Sequence, residues 1–208
     1  MIPIKVLVPS GVLGLGFDLE ALKHGIKNNP DIISIDGGST DSGPFSLGSG
    51  TSKYSRSAIK AEWKSLMIAR EKANVPLVIG SCGTCGTNGM VDWMENITIE
   101  LAKELDQHLK IAKLYCDQEK NYIKKNYKLN KILSLNPAPK LNNTVIDEMT
   151  NIVALAGAEQ IQECINTGAD IILAGRTTDT AIISALPLMK GANPVSYTHL
   201  RAHETRSD

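Results

Sequence analysis

The chain has 208 residues, 42% of them apolar and 21% charged, enough for one sizeable hydrophobic core. Its 22 basic and 22 acidic residues cancel, which leaves no overall positive field to hold nucleic acid. No apolar stretch nears the ~20 residues needed to span a bilayer. Residues 1–8 lack the basic region and cleavage site of a secretory signal, and four cysteines without such a signal point to reduced thiols and a cytoplasmic location.

Residues 4–8 read as a first strand, followed by a loop containing Gly11, Gly14 and Gly16 and an amphipathic segment over 18–28. The run 31–35 is a second strand that breaks into Asp36-Gly37-Gly38-Ser39-Thr40-Asp41-Ser42-Gly43-Pro44. A helix is predicted from Ser57 to Ala73, with Ile59, Trp63, Leu66, Met67 and Arg70 on one face and Ser55 or Ser57 as N-cap. The run 76–79 is a third strand that ends in Gly80-Ser81-Cys82-Gly83-Thr84-Cys85-Gly86. The next helix is predicted from Gly89 to His108, with a stripe of Val91, Met94, Ile97, Leu101 and Leu105. Residues 111–116 form a fourth strand, followed by Asp117 and Glu119. Between Asn121 and Pro139 the pattern is a short helix and a connecting loop, with Lys124 and Lys125 on a solvated face. Thr144 and Asp147 have capping-box-like spacing. Beyond Asn151 the reading is strand 152–155, helix 158–167 terminated by Gly168, strand 170–173 and helix 178–189. Strands alternating with helices imply right-handed crossovers, and hence an α/β fold: a Rossmann-like parallel sheet with helices on both faces.

Residues 195–208 show neither helical nor strand periodicity, and the string 195–205 looks like the translation of a transposon mosaic-end sequencing adapter. The expectation is therefore one α/β domain over 1–194, incomplete at its C-terminal end, with 195–208 as a non-native tail. His199, Arg201 and His203 then carry no function, and Ile183, Leu186 and Met189 of the last helix expose apolar surface.

In open parallel sheets the loops at strand C-termini hold the ligand, and glycines there let the backbone approach it. In the first such loop Asp36 and Asp41 are candidate catalytic groups for proton transfer, while Gly37, Gly38, Ser39 and Thr40 offer amides and hydroxyls to an anion. The structural alternative is that both aspartates satisfy turn amides. Two aspartates do not complete a metal site, and no metal is expected. In the second loop Gly80, Ser81, Gly83 and Thr84 read as an anion-binding turn. Cys82 and Cys85 have the spacing of a redox pair or half a zinc site, but nothing completes the zinc set and the helix does not open directly after them. Both are read as space-fillers.

The third loop carries Arg176, Thr177, Thr178 and Asp179. A threonine caps the following helix, Asp179 suits its positive end, and Arg176 grips a carboxylate or phosphate with two donors. The alternative is an ion pair of Arg176 with Asp179 or Asp36 that ties loops together. The spacing of Gly11, Gly14 and Gly16 does not fit a nicotinamide fingerprint. Asp117 and Glu119 either reach the same crevice or are solvated, and His24 and His108 fall on helices away from it.

Asp36 to Pro44 with Leu47-Gly48-Ser49-Gly50, Pro76 to Ser81, and Gly168 to Ala181 with Ala185-Leu-Pro-Leu-Met189 together resemble the N-terminal domain of the acyclic terpene utilisation (AtuA-type) family. The resemblance covers nearly all of 1–194 in the right order, and members of that family are considerably longer. It implies a metabolic role of the kind associated with citronellol- and geraniol-type compounds, without supplying a mechanism. By this resemblance Asp36, Ser39, Thr40, Asp41, Arg176 and Asp179 match motif positions, whereas the two cysteines depart from the pattern. The expected function is a cytoplasmic catabolic enzyme, or the catalytic half of one, acting on a small carboxylate or acyl-thioester by hydratase or lyase chemistry, with a CoA thioester as part of the substrate. The alternative is a non-catalytic metabolite- or nucleotide-binding subunit that works with a partner protein. Expected partners are a small anionic metabolite and either a partner subunit or a second copy; nucleic acid and membrane are not expected.

Overall fold

A computed structural model of the chain describes residues 3–39, 41 and 43–193. The expectations for Thr40 and for the tail 195–208 fall outside the described residues. Strands β1 (Val6–Leu7), β2 (Ile32–Asp36), β3 (Leu77–Gly80), β4 (Ile111–Leu114) and β5 (Ile171–Ala174) form one sheet in the order β1-β2-β3-β5-β4. Every pairing is parallel, so the chain adopts the α/β architecture that its alternating pattern predicts. Helices α1 (Leu19–Lys27), α2 (Phe45–Ser49), α3 (Arg56–Ala73), α4 (Asn88–Leu105), α5 (Lys120–Lys128), α6 (Asn143–Glu148), α7 (Ala158–Asn166) and α8 (Asp179–Met189) connect and cover the strands.

Strand periodicity of two divides the interior into two cores. Ile33 and Ile35 of β2, Leu77 and Ile79 of β3, and Ile171 and Leu173 of β5 face α1, α3 and α4. Ile32, Val78, Ile172 and Ala174 face α7 and α8 on the other side. Each fully buried aliphatic side chain contributes about 1.5–3 kcal/mol by leaving water. The α3 stripe read from the sequence is the buried one: Ile59, Trp63, Leu66, Met67 and Arg70 all lie inside. Trp63 also satisfies its indole N–H, which donates to Thr98 Oγ1 at 2.9 Å.

Local chemistry sets the element ends. The Asp18 carboxylate accepts from the Glu20 and Ala21 amides and starts α1. Ser55 rather than Ser57 caps α3, accepting from Ala58 N at 3.2 Å. Asp106 takes a left-handed conformation (φ 54°) and stops α4, so His108 lies in the following loop and not on a helix. Asn142, accepting from Val145 N at 2.9 Å, starts α6 and displaces the predicted cap at Thr144. The short α2 was not anticipated; its carbonyls at Leu47 and Gly48 accept from the side chains of Asn151 and Thr150.

Two further expectations are corrected. Residues 152–155 do not enter the sheet: they make an antiparallel bridge between Asp117 and Val153, then run across the C-terminal ends of the strands to a parallel bridge between Ala156 and Thr177. Leu155 stays 58% exposed there, which a sheet strand covered on both faces would not allow. On α8, Leu186 is buried in the second core, while Ile183 and Met189 pack against it and stay partly exposed.

The first glycine loop is tied to α3 by a side chain. Glu62 of α3 accepts from Gly14 N at 2.7 Å and Gly16 N at 2.8 Å, so the protein's own carboxylate fills the place of an anion. Glu62→Ala removes two bonds to amides that water can partly serve, and is expected to cost about 1 kcal/mol in urea unfolding, with Glu62→Gln recovering part of the loss. Wild-type stability in the alanine variant would show that the clamp is ornamental.

Candidate functional site

Three strands deliver their loops to one rim. After β3 the chain turns to α4 on the first face, and after β5 it turns to α8 on the second, so the two connections diverge. Such a divergence between neighbouring parallel strands opens a crevice outside their C-terminal ends. The loops after β2, β3 and β5 all border it.

These loops are knitted to one another. Gly37 N donates to Gly80 O at 2.7 Å, Thr84 N to Gly37 O at 3.0 Å, Ser81 N to Gly175 O at 2.9 Å and Cys82 N to Ala174 O at 3.0 Å. The glycines serve this contact. A Cβ on Gly37 would stand 2.6 Å from Ser81 O, and one on Gly86 would stand 2.5 Å from Arg176 N. Backbone here approaches backbone, so the amides of Gly37, Ser81 and Thr84, which the sequence offers to an anion, are spent on the neighbouring loop. Gly38, Gly80, Gly83 and Thr84 are buried parts of the same frame.

Arg176 crosses the gap. Its Nη1 donates to Gly38 O at 3.3 Å, Thr84 O at 3.3 Å and Ser81 Oγ at 3.4 Å. Ser81 is wholly buried, and its hydroxyl also accepts from Thr177 N at 3.4 Å and donates to Thr177 O at 3.3 Å. The cation is thus held by carbonyls of the first two loops, which bring a fixed positive charge over the crevice. Asp36, Ser81 and Arg176, far apart in sequence, meet at one end of the sheet.

Asp36 is the last residue of β2 and only 8% exposed. Its place in the alternation with Ile32 and Ser34 turns its side chain toward α8; Ser34 Oγ donates to Ile182 O at 2.7 Å on that face. Burial first, and then the negative charge of Asp179, push its pKa from 3.8 up to about 7. Hydrogen bonding from the Gly38 and Gly37 backbone and the charge of Arg176 pull the other way without winning. Asp36 Oδ1 is buried without a hydrogen-bond partner among the described residues, as is Thr177 Oγ1.

The remaining candidates divide. Thr178, not Thr177, caps α8 through Ala181 N at 3.2 Å, which leaves Asp179 as the exposed first residue of that helix. Asp41 is also exposed, and its amide donates to Ser39 Oγ at 3.1 Å. The carboxylate whose charge acts on Asp36 is therefore Asp179, a pairing that sequence proximity conceals. Asp117 Oδ1 accepts from Asn88 N at 3.0 Å, while Asn88 Oδ1 accepts from Cys116 N and Asp117 N, a reciprocal tie between β4 and α4. Cys82 and Cys85 are fully buried, and burial together with Asp36 pushes the Cys82 thiol far up, away from nucleophilic use. Among the described residues no three His, Cys, Asp or Glu side chains gather as metal ligands.

No curated protein and no solved structure matches the chain. The family described as acyclic terpene utilisation family protein AtuA matches residues 46–190, a span that contains the second and third loops with Arg176 and Asp179 and begins beyond the Asp36–Pro44 loop. With well over half of its length covered, this chain belongs to the acyclic terpene utilisation AtuA family.

Proposed function

We propose that the crevice is the active site of a catabolic enzyme that moves a proton on a small carboxylate or acyl-thioester, the chemistry that hydratases and lyases share. The observation that carries this reading is Asp36: a buried carboxyl at the end of β2, poised near pH 7 between a carboxylate and a guanidinium. General acid–base work is most efficient when the group's pKa lies near the working pH, and structural aspartates seldom sit there. Arg176 supplies the charge that attracts an anionic substrate, and burial, with Asp179 behind it, holds the pKa of Asp36 up, so that the proton is released at neutral rather than acid pH. Ser39 and Thr177 carry the further hydroxyls of these loops, Thr178 caps α8, and Gly37, Gly38, Gly80, Ser81, Gly83 and Thr84 fix the loops in place.

The test is an assay of the purified chain with branched unsaturated acids and their CoA thioesters. Asp36→Asn is expected to abolish turnover and to leave binding within a few-fold of wild type, whereas Arg176→Gln weakens binding. Turnover that survives in Asp36→Asn overturns the assignment. Tight binding without turnover in the wild type supports instead a metabolite-binding subunit that acts beside another protein.

A further inference from the structure

Asp36 and Gly80 are register partners in neighbouring parallel strands. Their side-chain directions therefore share one face, the face that Ser34 and Ile182 occupy. Gly80 places nothing there. A Cβ at that position would lie 2.3 Å from Thr177 Oγ1 and 3.0 Å from Ile182 Cγ2. The Thr177 hydroxyl thus sits in the space that a side chain at position 80 would fill, on the face of the strand neighbour that carries the Asp36 carboxyl.

Thr177 is 1% exposed, and both its Oγ1 and Asp36 Oδ1 lack a hydrogen-bond partner among the described residues. Two unpartnered polar atoms buried on one face are costly, and one shared oxygen that bonds to both relieves both penalties. Ile182 Cγ2 borders the same place from the side of α8.

We propose that the notch framed by Asp36 Oδ1, Gly80 and Thr177 Oγ1 seats a single oxygen, that of the water added to the substrate or of the hydroxyl that leaves as water, and that Thr177 holds it for Asp36. This inference rests on the reading of the crevice as a proton-transferring active site, and it narrows that reading to addition or elimination of water. In the addition direction the Asp36 carboxylate takes one proton from the seated water while its oxygen bonds to the β-carbon of a double bond conjugated with the acyl group. The electron pair of that bond moves toward the acyl oxygen as an enolate. Asp36, now a carboxylic acid, returns the proton to the α-carbon and is a carboxylate again. One water is consumed, one C–O and one C–H bond form, and nothing is oxidised or reduced.

The experiment compares wild type, Thr177→Val, Thr177→Ser and Asp36→Asn on one unsaturated thioester. Valine keeps the shape and loses the hydroxyl, so kcat is expected to fall at least tenfold with KM nearly unchanged, and serine is expected to restore most of the rate. If Thr177→Val turns over like wild type while Asp36→Asn is inactive, the notch has no role and the proton-transfer reading stands. If Asp36→Asn is active, that reading itself has failed. A crystal structure of the wild type at a resolution that shows waters gives a second readout that needs no variant and no substrate. An ordered oxygen within hydrogen-bond reach of both atoms supports the proposal; a direct Asp36–Thr177 contact without one overturns it.

Discussion

Asp36→Asn is expected to stabilise the protein near pH 8, by on the order of 4 kcal/mol, because it removes a buried carboxyl that neutral pH forces to ionise. The sign follows from proton binding. In the unfolded chain Asp36 titrates near 3.8, and in the folded chain near about 7. Between those values the folded state holds a proton that the unfolded state has released, so stability falls as pH rises through the window and levels off above it. A tenfold difference in proton affinity is worth about 1.4 kcal/mol, and the distance between the two values sets the size of the effect. Asparagine keeps the shape and cannot ionise. Urea unfolding of wild type and variant at several pH values between 4 and 8 isolates this one residue, since every other titrating group is common to both proteins. The two curves should converge near pH 4 and separate above it, with the variant on top. A variant less stable than wild type at pH 8 would mean that Asp36 is an ionised structural partner, and its role in proton transfer would fall with that result.

This same residue marks the boundary of what the sequence can say. A β-branched run ending in an aspartate and two glycines is enough to place Asp36 at a strand's C-terminal end, where ligands bind. Its electrostatic neighbour is not legible in the same way. Asp41 lies five positions on and is the natural partner in sequence, yet the strand's pleat sends Asp36 into the second core while Asp41 stays in water beyond the turn. The partner is Asp179, brought over by α8, and only the sheet order decides that. Local patterns recover the elements because periodicity and caps are local; they do not reveal that β5 inserts between β3 and β4. The glycines illustrate a subtler limit. Their clustering does mark the rim, but Gly37 and Gly86 are small because one loop packs on the next, not because a ligand's phosphate does. The run 152–155 misleads for a related reason: an apolar tetrapeptide reads as a strand whether or not a sheet edge lies beside it.

Asp170→Asn is expected to destabilise the fold by about 2–3 kcal/mol, the cost of leaving a buried guanidinium with only the more exposed Glu71 as its carboxylate. Arg70 belongs to the apolar stripe of α3, and its side chain is 9% exposed. There Nη2 bonds Asp170, Nη1 donates to Glu71 Oε2 at 3.3 Å, and Nε donates to Val75 O at 3.2 Å. Asp170 also accepts from Lys110 N at 2.8 Å, and its own carbonyl accepts from Leu77 N at 3.0 Å. One ion pair thus joins the entries to β3, β4 and β5, the three strands whose order the sequence does not disclose. Arg70→Met is expected to cost less, about 1–2 kcal/mol, because Asp170 is 30% exposed and water can serve it once the arginine is gone. The double variant should therefore lose markedly less than the sum of the two single losses, and urea unfolding of all four proteins measures that coupling. Additive losses would mean that the two side chains act separately and that strand order is held by packing alone. Because this knot sits at the N-terminal ends of the strands and the crevice at the opposite ends, the folded fraction of each variant should bind ligand as wild type does. A weakened site in a folded variant would show instead that the two ends of this short sheet are mechanically coupled.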